Sequence, residues 1–324
     1  MSLPLGAGVV LDREPASSDF LAEVIAGLSN QPRTLPCKFF YDERGAALFQ
    51  KICDLPEYYV TRTELQILRL QGATIATALG TQIELIGLGT GAGTKTRILL
   101  EELNSPAVYI PIDISKEQLQ RSTTRFREIF PELEILSVCA DYLEPFELPS
   151  PGRVSSRKII YFPGSTIGNF EPRAAKIFLQ RIADLCGKDG GLLIGVDLQK
   201  NPRVIESAYN DSAGITAEFN LNLLVRANHE LGTDFDLNHW RHRAIYNAAE
   251  GRIEMHLISD IDQVARIEDH QFNFPAGENI ITEFSYKYTP DGFVALAREA
   301  GFEFVRMWTD DARLFGVFYF TVAK

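Results

Sequence analysis

Ile83-Glu84-Leu85-Ile86-Gly87-Leu88-Gly89-Thr90-Gly91-Ala92-Gly93-Thr94-Lys95-Thr96-Arg97 decides the fold of this chain. An apolar run ends in alternating glycines, and a helical pattern, Thr96 to Leu103, follows at once. That is a buried strand, a tight turn and the start of a helix. Glycines in such a turn reach φ > 0 and let the backbone approach a ligand. Val108–Asp113 reads as a second strand ending in an acid. Asp113 lies about 20 residues past the glycine loop, where doubly wound folds hold ribose hydroxyls. A further acid, Asp141, ends the next apolar run, Ile135 to Ala140. Glycine alternation alone serves nucleotide sites of several kinds, NAD(P) enzymes among them.

Working outward, strand and helix patterns alternate: Ile83–Leu88, Lys95–Leu103, Val108–Asp113, Lys116–Phe130, Ile135–Cys139, Lys158–Phe162, Ala174–Cys186 and Gly191–Val196. Apolar runs joined by helical patterns of this length imply a parallel sheet with helices on both faces. Right-handed crossovers put the loops after the strands on one edge. The glycine loop, Asp113, Asp141 and Pro163–Asn169 therefore share that edge, and a ligand lies in its crevice.

The 324 residues suffice for one large or two modest domains. A net charge of -11 argues against a nucleic-acid backbone as partner, because phosphate binding needs a basic footprint. The four cysteines, Cys37, Cys53, Cys139 and Cys186, have no metal-ligand spacing, so no metal is expected and the thiols read as free. No apolar run spans a bilayer and no leader pattern opens the chain; a cytoplasmic protein is expected.

Before the core, residues 1–17 read as a loose surface wrap, and Phe20 to Leu28 as a helix with Ser17 or Ser18 as its cap. Ala46–Ile52 reads as a short helix, broken by Pro56; Thr61 or Thr63 can cap the next, which runs to Leu79. Phe39, Phe40 and Phe49 serve equally as packing, but the phenols of Tyr41, Tyr58 and Tyr59 need a polar setting for their hydroxyls. Phe40-Tyr41-Asp42-Glu43-Arg44-Gly45, Leu48-Phe49, Leu55-Pro56-Glu57-Tyr58-Tyr59 and Thr61-Arg62-Thr63-Glu64 resemble the histidine-specific Nα-methyltransferases of ergothioneine biosynthesis, which convert L-histidine to hercynine. The resemblance covers nearly the whole chain.

That resemblance implies an α/β fold: a Rossmann-like class I methyltransferase core, residues 61–200 and 287–324, with a second, smaller α+β substrate lobe, residues 1–60 and 201–286. It implies S-adenosylmethionine as cosubstrate. Gly89 and Lys95 belong to its loop, Lys95 toward the methionine carboxylate; Asp113 takes the ribose hydroxyls; Asp141 and Tyr142 flank the adenine. The family usually has an acid two residues before the first aligned glycine. Here that position is Gly87, so the loop loses an orienter unless Glu84 substitutes.

The substrate residues that the resemblance picks out are Tyr41, Phe49, Tyr58, Gly164, Thr166, Asn169, Tyr209, Met255, Glu283 and Ser285. Asn169 and Tyr209 hold the carboxylate of L-histidine, Glu283 and Ser285 its imidazole, Tyr58 supports the ring through water and Tyr41 lies near the amine. Gly164 and Thr166 leave room around the nitrogen. On residue types alone, Glu283-Phe284-Ser285 reads first as an exposed strand face, and Met255 equally as plain core. Residues two apart in a strand do share a face, as an imidazole grip needs. Thr216–Leu231 reads as a helix, with Asn220, Asn222 and Asn228 unexplained inside it; Ala244–Asn247, Arg252–Ile258, Glu268–Phe274 and Ile281–Tyr288 read as strands. Asp291–Ala300 is a helix, and Phe302–Trp308 with Phe315–Val322 a hairpin completing the core sheet. No catalytic base is expected. A monomer without nucleic-acid or membrane partners is expected. Alternatives are methylation of another aromatic amino acid such as a tryptophan derivative, an NAD(P) oxidoreductase, and a non-catalytic ligand-binding module.

Overall fold

The computed structural model describes residues 11–12, 20–144 and 146–323. The expected wrap of residues 1–17 and the cap at Ser17 or Ser18 lie outside the described residues, apart from 11–12. In chain order the first half comprises β1 (Leu11–Asp12), α1 (Phe20–Ser29), β2 (Arg33–Thr34), α2 (Glu43–Cys53), α3 (Tyr59–Leu79), β3 (Glu84–Leu88), α4 (Thr94–Glu102), β4 (Val108–Asp113), α5 (Lys116–Ile129), β5 (Glu134–Ile135), β6 (Val138–Cys139) and β7 (Lys158–Phe162). Then follow α6 (Pro172–Cys186), β8 (Gly191–Asp197), α7 (Pro202–Tyr209), α8 (Ile215–Leu231), β9 (Trp240–Asn247), β10 (Arg252–Ser259), β11 (Gln263–Ile267), β12 (His270–Phe274), β13 (Asn279–Tyr286), α9 (Pro290–Glu299), β14 (Phe302–Thr309) and β15 (Phe315–Val322).

The large sheet has the order β1-β6-β4-β3-β7-β8-β15-β14, with β5 beside β4. From β1 to β8 its pairings are parallel; β15 and β14 close it as an antiparallel hairpin. Every residue of β3, β4 and β8 is buried, as expected of parallel strands covered on both faces. Leu68, Leu79, Leu99 and Phe126 cover one face; Phe178, Leu179, Phe293 and Ala297 cover the other. After β3 the chain steps to β4 on one side and later to β7 on the other, which opens a crevice at the strands' carboxyl ends. This is the expected Rossmann-like α/β core.

A second sheet, β2-β13-β10-β9, and a β11-β12 hairpin carry the remaining strands. The second sheet draws β2 from before the core and the rest from after it. Its buried residues, Met255 and Ile253 among them, belong to the same apolar cluster as α3. The asparagines of α8 are structural. Asn220 donates to His256 O at 3.1 Å, bonds His242 Nδ1 at 2.9 Å and accepts from Thr282 Oγ1 at 2.7 Å. Asn222 donates to Asp42 Oδ1 at 2.8 Å, and that same oxygen accepts from Gly45 N at 2.7 Å to cap α2. Asn228 holds the loop at Phe235.

Three local expectations are corrected. The helix before β3 starts at Tyr59 without a side-chain cap, so Thr61 and Thr63 lie inside it. Arg62 instead fixes the preceding turn by donating to the carbonyls of Leu55, Pro56 and Tyr58. The run Ile135–Cys139 is broken into β5 and β6, because β4 pairs with each separately. Glu268–Phe274 is not one strand: Glu268, at φ 49°, turns the β11-β12 hairpin. No helix among the described residues is long and apolar enough to cross a membrane.

Candidate active site

At the crevice the carboxylate of Asp113 accepts from Gly91 N and Ser115 N, both at 3.0 Å. Burial pushes its carboxyl up from the usual range, and those backbone donors oppose it. Each oxygen keeps a lone pair for a hydroxyl. Asp141 accepts from Leu143 N at 2.8 Å through one oxygen, the other having no hydrogen bond among the described residues. Tyr142 packs edge-on against Phe162 at 5.6 Å and roofs the turn at Gly89. Gly89 is at φ 60°, and a Cβ there would sit 3.4 Å from the Tyr142 ring. A bare, left-handed backbone under an aromatic ring, between two strand-end acids, fits an adenosine with free ribose hydroxyls.

The missing acid at Gly87 is not replaced by Glu84. Glu84 is the first residue of β3, at the strand end opposite the loop, and accepts from Ser155 Oγ at 3.3 Å. A Cβ at Gly87 would lie 2.6 Å from Thr90 Cγ2, so Thr90 and the adjoining Tyr109 ring leave no room there for an acid. A different carboxylate orders this edge. Glu64, fully buried on α3, accepts from Gly164 N at 2.9 and 3.1 Å and pairs with Lys95 Nζ at 2.5 Å. Lys95 is thus committed to Glu64 by one of its three protons, leaving two for a ligand carboxylate.

The loop after β7 carries Thr166 and Asn169 on a 3₁₀ turn, Thr166–Asn169. Thr166 Oγ1 donates to Pro163 O at 3.1 Å, whereas the Asn169 amide has no hydrogen bond among the described residues. Ser165 holds φ 58°, a costly conformation for a serine, and its Oγ accepts from Asp197 N at 2.8 Å. The turn lies on β13: a Cβ at Gly168 would meet Tyr286 O at 2.7 Å and Ser285 Oγ at 3.3 Å. Only glycine permits this approach, which brings the second sheet to the crevice.

An aromatic wall stands beside it. Tyr41 meets Phe49 edge-on at 5.6 Å, Phe49 meets Tyr58 at 6.3 Å, and Tyr58 meets Tyr209 at 6.2 Å. Tyr41 is half exposed, Tyr58 and Tyr209 are buried, and Phe219 of α8 backs the wall. Met255, buried, and Glu283 are paired across β10 and β13. The half-buried Glu283 carboxyl has no hydrogen-bond partner among the described residues. Burial pushes it up to about 7, with Lys287 opposing, and its charge reaches Cys37, Tyr41 and Tyr58.

Next to Glu283 is a buried ionic network. Lys287 Nζ donates to Asp197 Oδ2 at 2.9 Å, Ser285 Oγ at 2.8 Å and Tyr209 OH at 3.0 Å. Tyr209 OH donates to Ser285 Oγ at 3.2 Å. Lys200 Nζ donates to Asp197 Oδ1 at 2.5 Å and Tyr59 OH at 2.7 Å, and Tyr59 OH donates back to Asp197. Burial would push Asp197 up, but the two ammonium groups hold it below the usual carboxylate range. Burial brings Lys200 down to about 8 against the pull of Asp197. For Lys287 the attraction of Asp197 outweighs burial and raises it.

Sequence reasoning passed over Glu64, Asp197, Lys200 and Lys287 as site residues; for Tyr59 it expected only a polar setting for the phenol, which Asp197 and Lys200 provide. Two left signals. Asp197 ends a core strand on the same edge as Asp113 and Asp141. Lys287 follows Ser285 by two residues on the alternating run, hence on one face.

A family model described as histidine-specific methyltransferase, SAM-dependent, matches residues 20–322. The chain is 40% identical over 313 residues to the histidine N-alpha-methyltransferase of Mycolicibacterium smegmatis, covering 95% of this chain and 96% of that protein. It is also 40% identical over 301 residues to the enzyme of that name from Mycobacterium tuberculosis, covering 91% and 92%. It is 27% identical over 319 residues to the 4-dimethylallyltryptophan N-methyltransferase of Claviceps purpurea, covering 89% and 91%.

Proposed function

The chain belongs to the histidine-specific, S-adenosylmethionine-dependent methyltransferase family, and from that premise we propose that it methylates the Nα atom of L-histidine three times, giving hercynine on the way to ergothioneine. The observation that carries the choice of substrate is Glu283: a carboxylate without a hydrogen-bond partner among the described residues, beside a serine on one strand face, behind an aromatic wall. An imidazole presents two nitrogens to such a pair; an indole presents one N–H and leaves a buried polar group unpaired, which disfavours it strongly. That argues against a tryptophan derivative.

Bound S-adenosylmethionine supplies an electrophilic methyl group. The protein's task is alignment. Gly89, Asp113, Asp141 and Tyr142 hold the adenosine, and Lys95, anchored by Glu64, offers its free protons to the methionine carboxylate. The Asn169 amide donates to the substrate carboxylate, aided by Tyr209 when that phenol turns from Ser285. Tyr41, at the open rim, stands near the amine. Burial keeps the phenols of Tyr58 and Tyr209 protonated, so neither is a strong base at neutral pH. The amine must reach the site as the neutral form, which partial burial favours. Gly164 and Thr166 leave space for successive methyl groups. Of the expected substrate lobe, residues 1–60 and 201–286, the described stretches 20–60 and 201–286 act as that lobe on the core formed by 61–200 and 287–323, whereas Leu11–Asp12 joins the core sheet beside β6. The protein works as a monomer in the cytoplasm, without nucleic acid or membrane.

Incubation with S-adenosylmethionine and either L-histidine or L-tryptophan, followed by mass spectrometry, tests this. The expected product is histidine with three added methyl groups and an unmodified ring. Transfer to tryptophan alone, or to neither, contradicts the reading.

A further inference from the structure

Lys287 has a role that the substrate grip alone does not require. Its ammonium has three protons, and each has an acceptor: Asp197 Oδ2 at 2.9 Å, Tyr209 OH at 3.0 Å and Ser285 Oγ at 2.8 Å. An ammonium cannot accept, so the direction of all three bonds is fixed. Ser285 Oγ therefore always receives a proton from Lys287. The remaining freedom of Ser285 is where it sends its own proton. Tyr209 oxygen already accepts from Lys287 and, in this structure, donates to Ser285 at 3.2 Å. The open acceptor is whatever lies between Ser285 and Glu283.

Asp197 keeps this arrangement rigid. It is fully buried, receives Lys200 on its other oxygen and Tyr59 across both, and its own amide is fixed to Ser165. One carboxylate against two ammonium groups leaves the cluster positive, which repels a second cation at Ser285. On the other side stands the Glu283 carboxyl, an acceptor when ionised, with Tyr41, Tyr58 and Cys37 in electrostatic reach. Along the strand Glu283 and Ser285 are two residues apart, about 7 Å, the span of a five-membered ring with its hydrogen bonds.

We infer that Lys287 is a positioning residue that aims the Ser285 hydroxyl proton at the substrate, so that the site takes the imidazole as one neutral tautomer: one ring nitrogen accepts from Ser285 while the other donates to Glu283. Ring charge, and not ring shape alone, is then selected. This rests on histidine being the substrate.

The test is nitrogen NMR on ring-15N-labelled L-histidine bound to the protein saturated with S-adenosylhomocysteine, which blocks turnover. The wild-type complex shows one pyridine-type and one pyrrole-type nitrogen, and keeps that pattern to below the pH at which free histidine protonates. In Lys287→Met the pattern collapses to a doubly protonated or averaged ring, while affinity for S-adenosylhomocysteine changes less than threefold; a purely structural lysine would leave the ring pattern of whatever histidine still binds unchanged. Two pyrrole-type nitrogens in the wild type, or an unaltered ring in Lys287→Met, overturns the inference. If Lys287→Met does not fold, the wild-type spectrum decides by itself. Histidine that keeps its free-solution shifts overturns the functional reading instead, an outcome distinct from a bound but charged ring.

Discussion

Glu283 is held ready at a cost to the free protein. Its carboxyl titrates near 7 because burial opposes the charge. The unfolded chain ionises it near the ordinary glutamate value, about 4.3. The folded pKa is thus raised, so ionisation costs stability: the penalty is absent below about 4, grows as pH rises, and is complete above 7. A displacement of that size corresponds to at most about 4 kcal/mol. Glu283→Gln should therefore raise the thermal midpoint of the ligand-free protein at pH 8 and leave it nearly unchanged at pH 4.5, measured by calorimetric melting. An equal shift at both pH values would show that the charge is not the cause. The same titration is expected to make wild-type histidine turnover rise through about pH 7, a limb that a pH–rate profile of Glu283→Gln should lack. The pairing of Glu283 with Ser285 on one face was legible from strand period two, but their distinction from an exposed face was not. Burial came from Gly168 and α8 packing on β13, contacts between segments far apart in the chain.

Among the elements, α3 does more than cover the sheet. Through Glu64 it reaches the ends of β3 and β7 and ties Lys95 to Gly164. This carboxylate orders the edge where a loop acid is absent at Gly87. Glu64→Ala leaves the half-buried Lys95 ammonium and the Gly164 amide without their carboxylate, at about 1–3 kcal/mol. The expected result is that loss in a urea melt, together with a fall of S-adenosylmethionine affinity of at least tenfold. Full affinity in a destabilised variant would confine Glu64 to packing. The strand-glycine-helix unit was readable because apolar run, turn and helix are contiguous. The start of α3 at Tyr59 was not, because it has no capping side chain and relies on Arg62 binding the carbonyls behind it.

On the scale of the molecule, two sheets meet at one crevice. The parallel order of the core followed from the alternation of strand and helix, and its antiparallel closure from the final hairpin. The joining of β2 to β13 could not be read, because pairing between distant strands leaves no local pattern. Neither could the Asp197–Lys287 bond, which joins the end of a core strand to the end of the second sheet. The measurement that tests the account most directly is calorimetry of L-histidine binding to wild type and Glu283→Ala, each saturated with S-adenosylhomocysteine. Loss of a hydrogen bond to a charged group predicts a fall in histidine affinity of about 10- to 150-fold, with S-adenosylhomocysteine affinity kept within threefold. Equal loss of both ligands, or undiminished histidine binding, would contradict the claim that this lobe chooses its guest through Glu283.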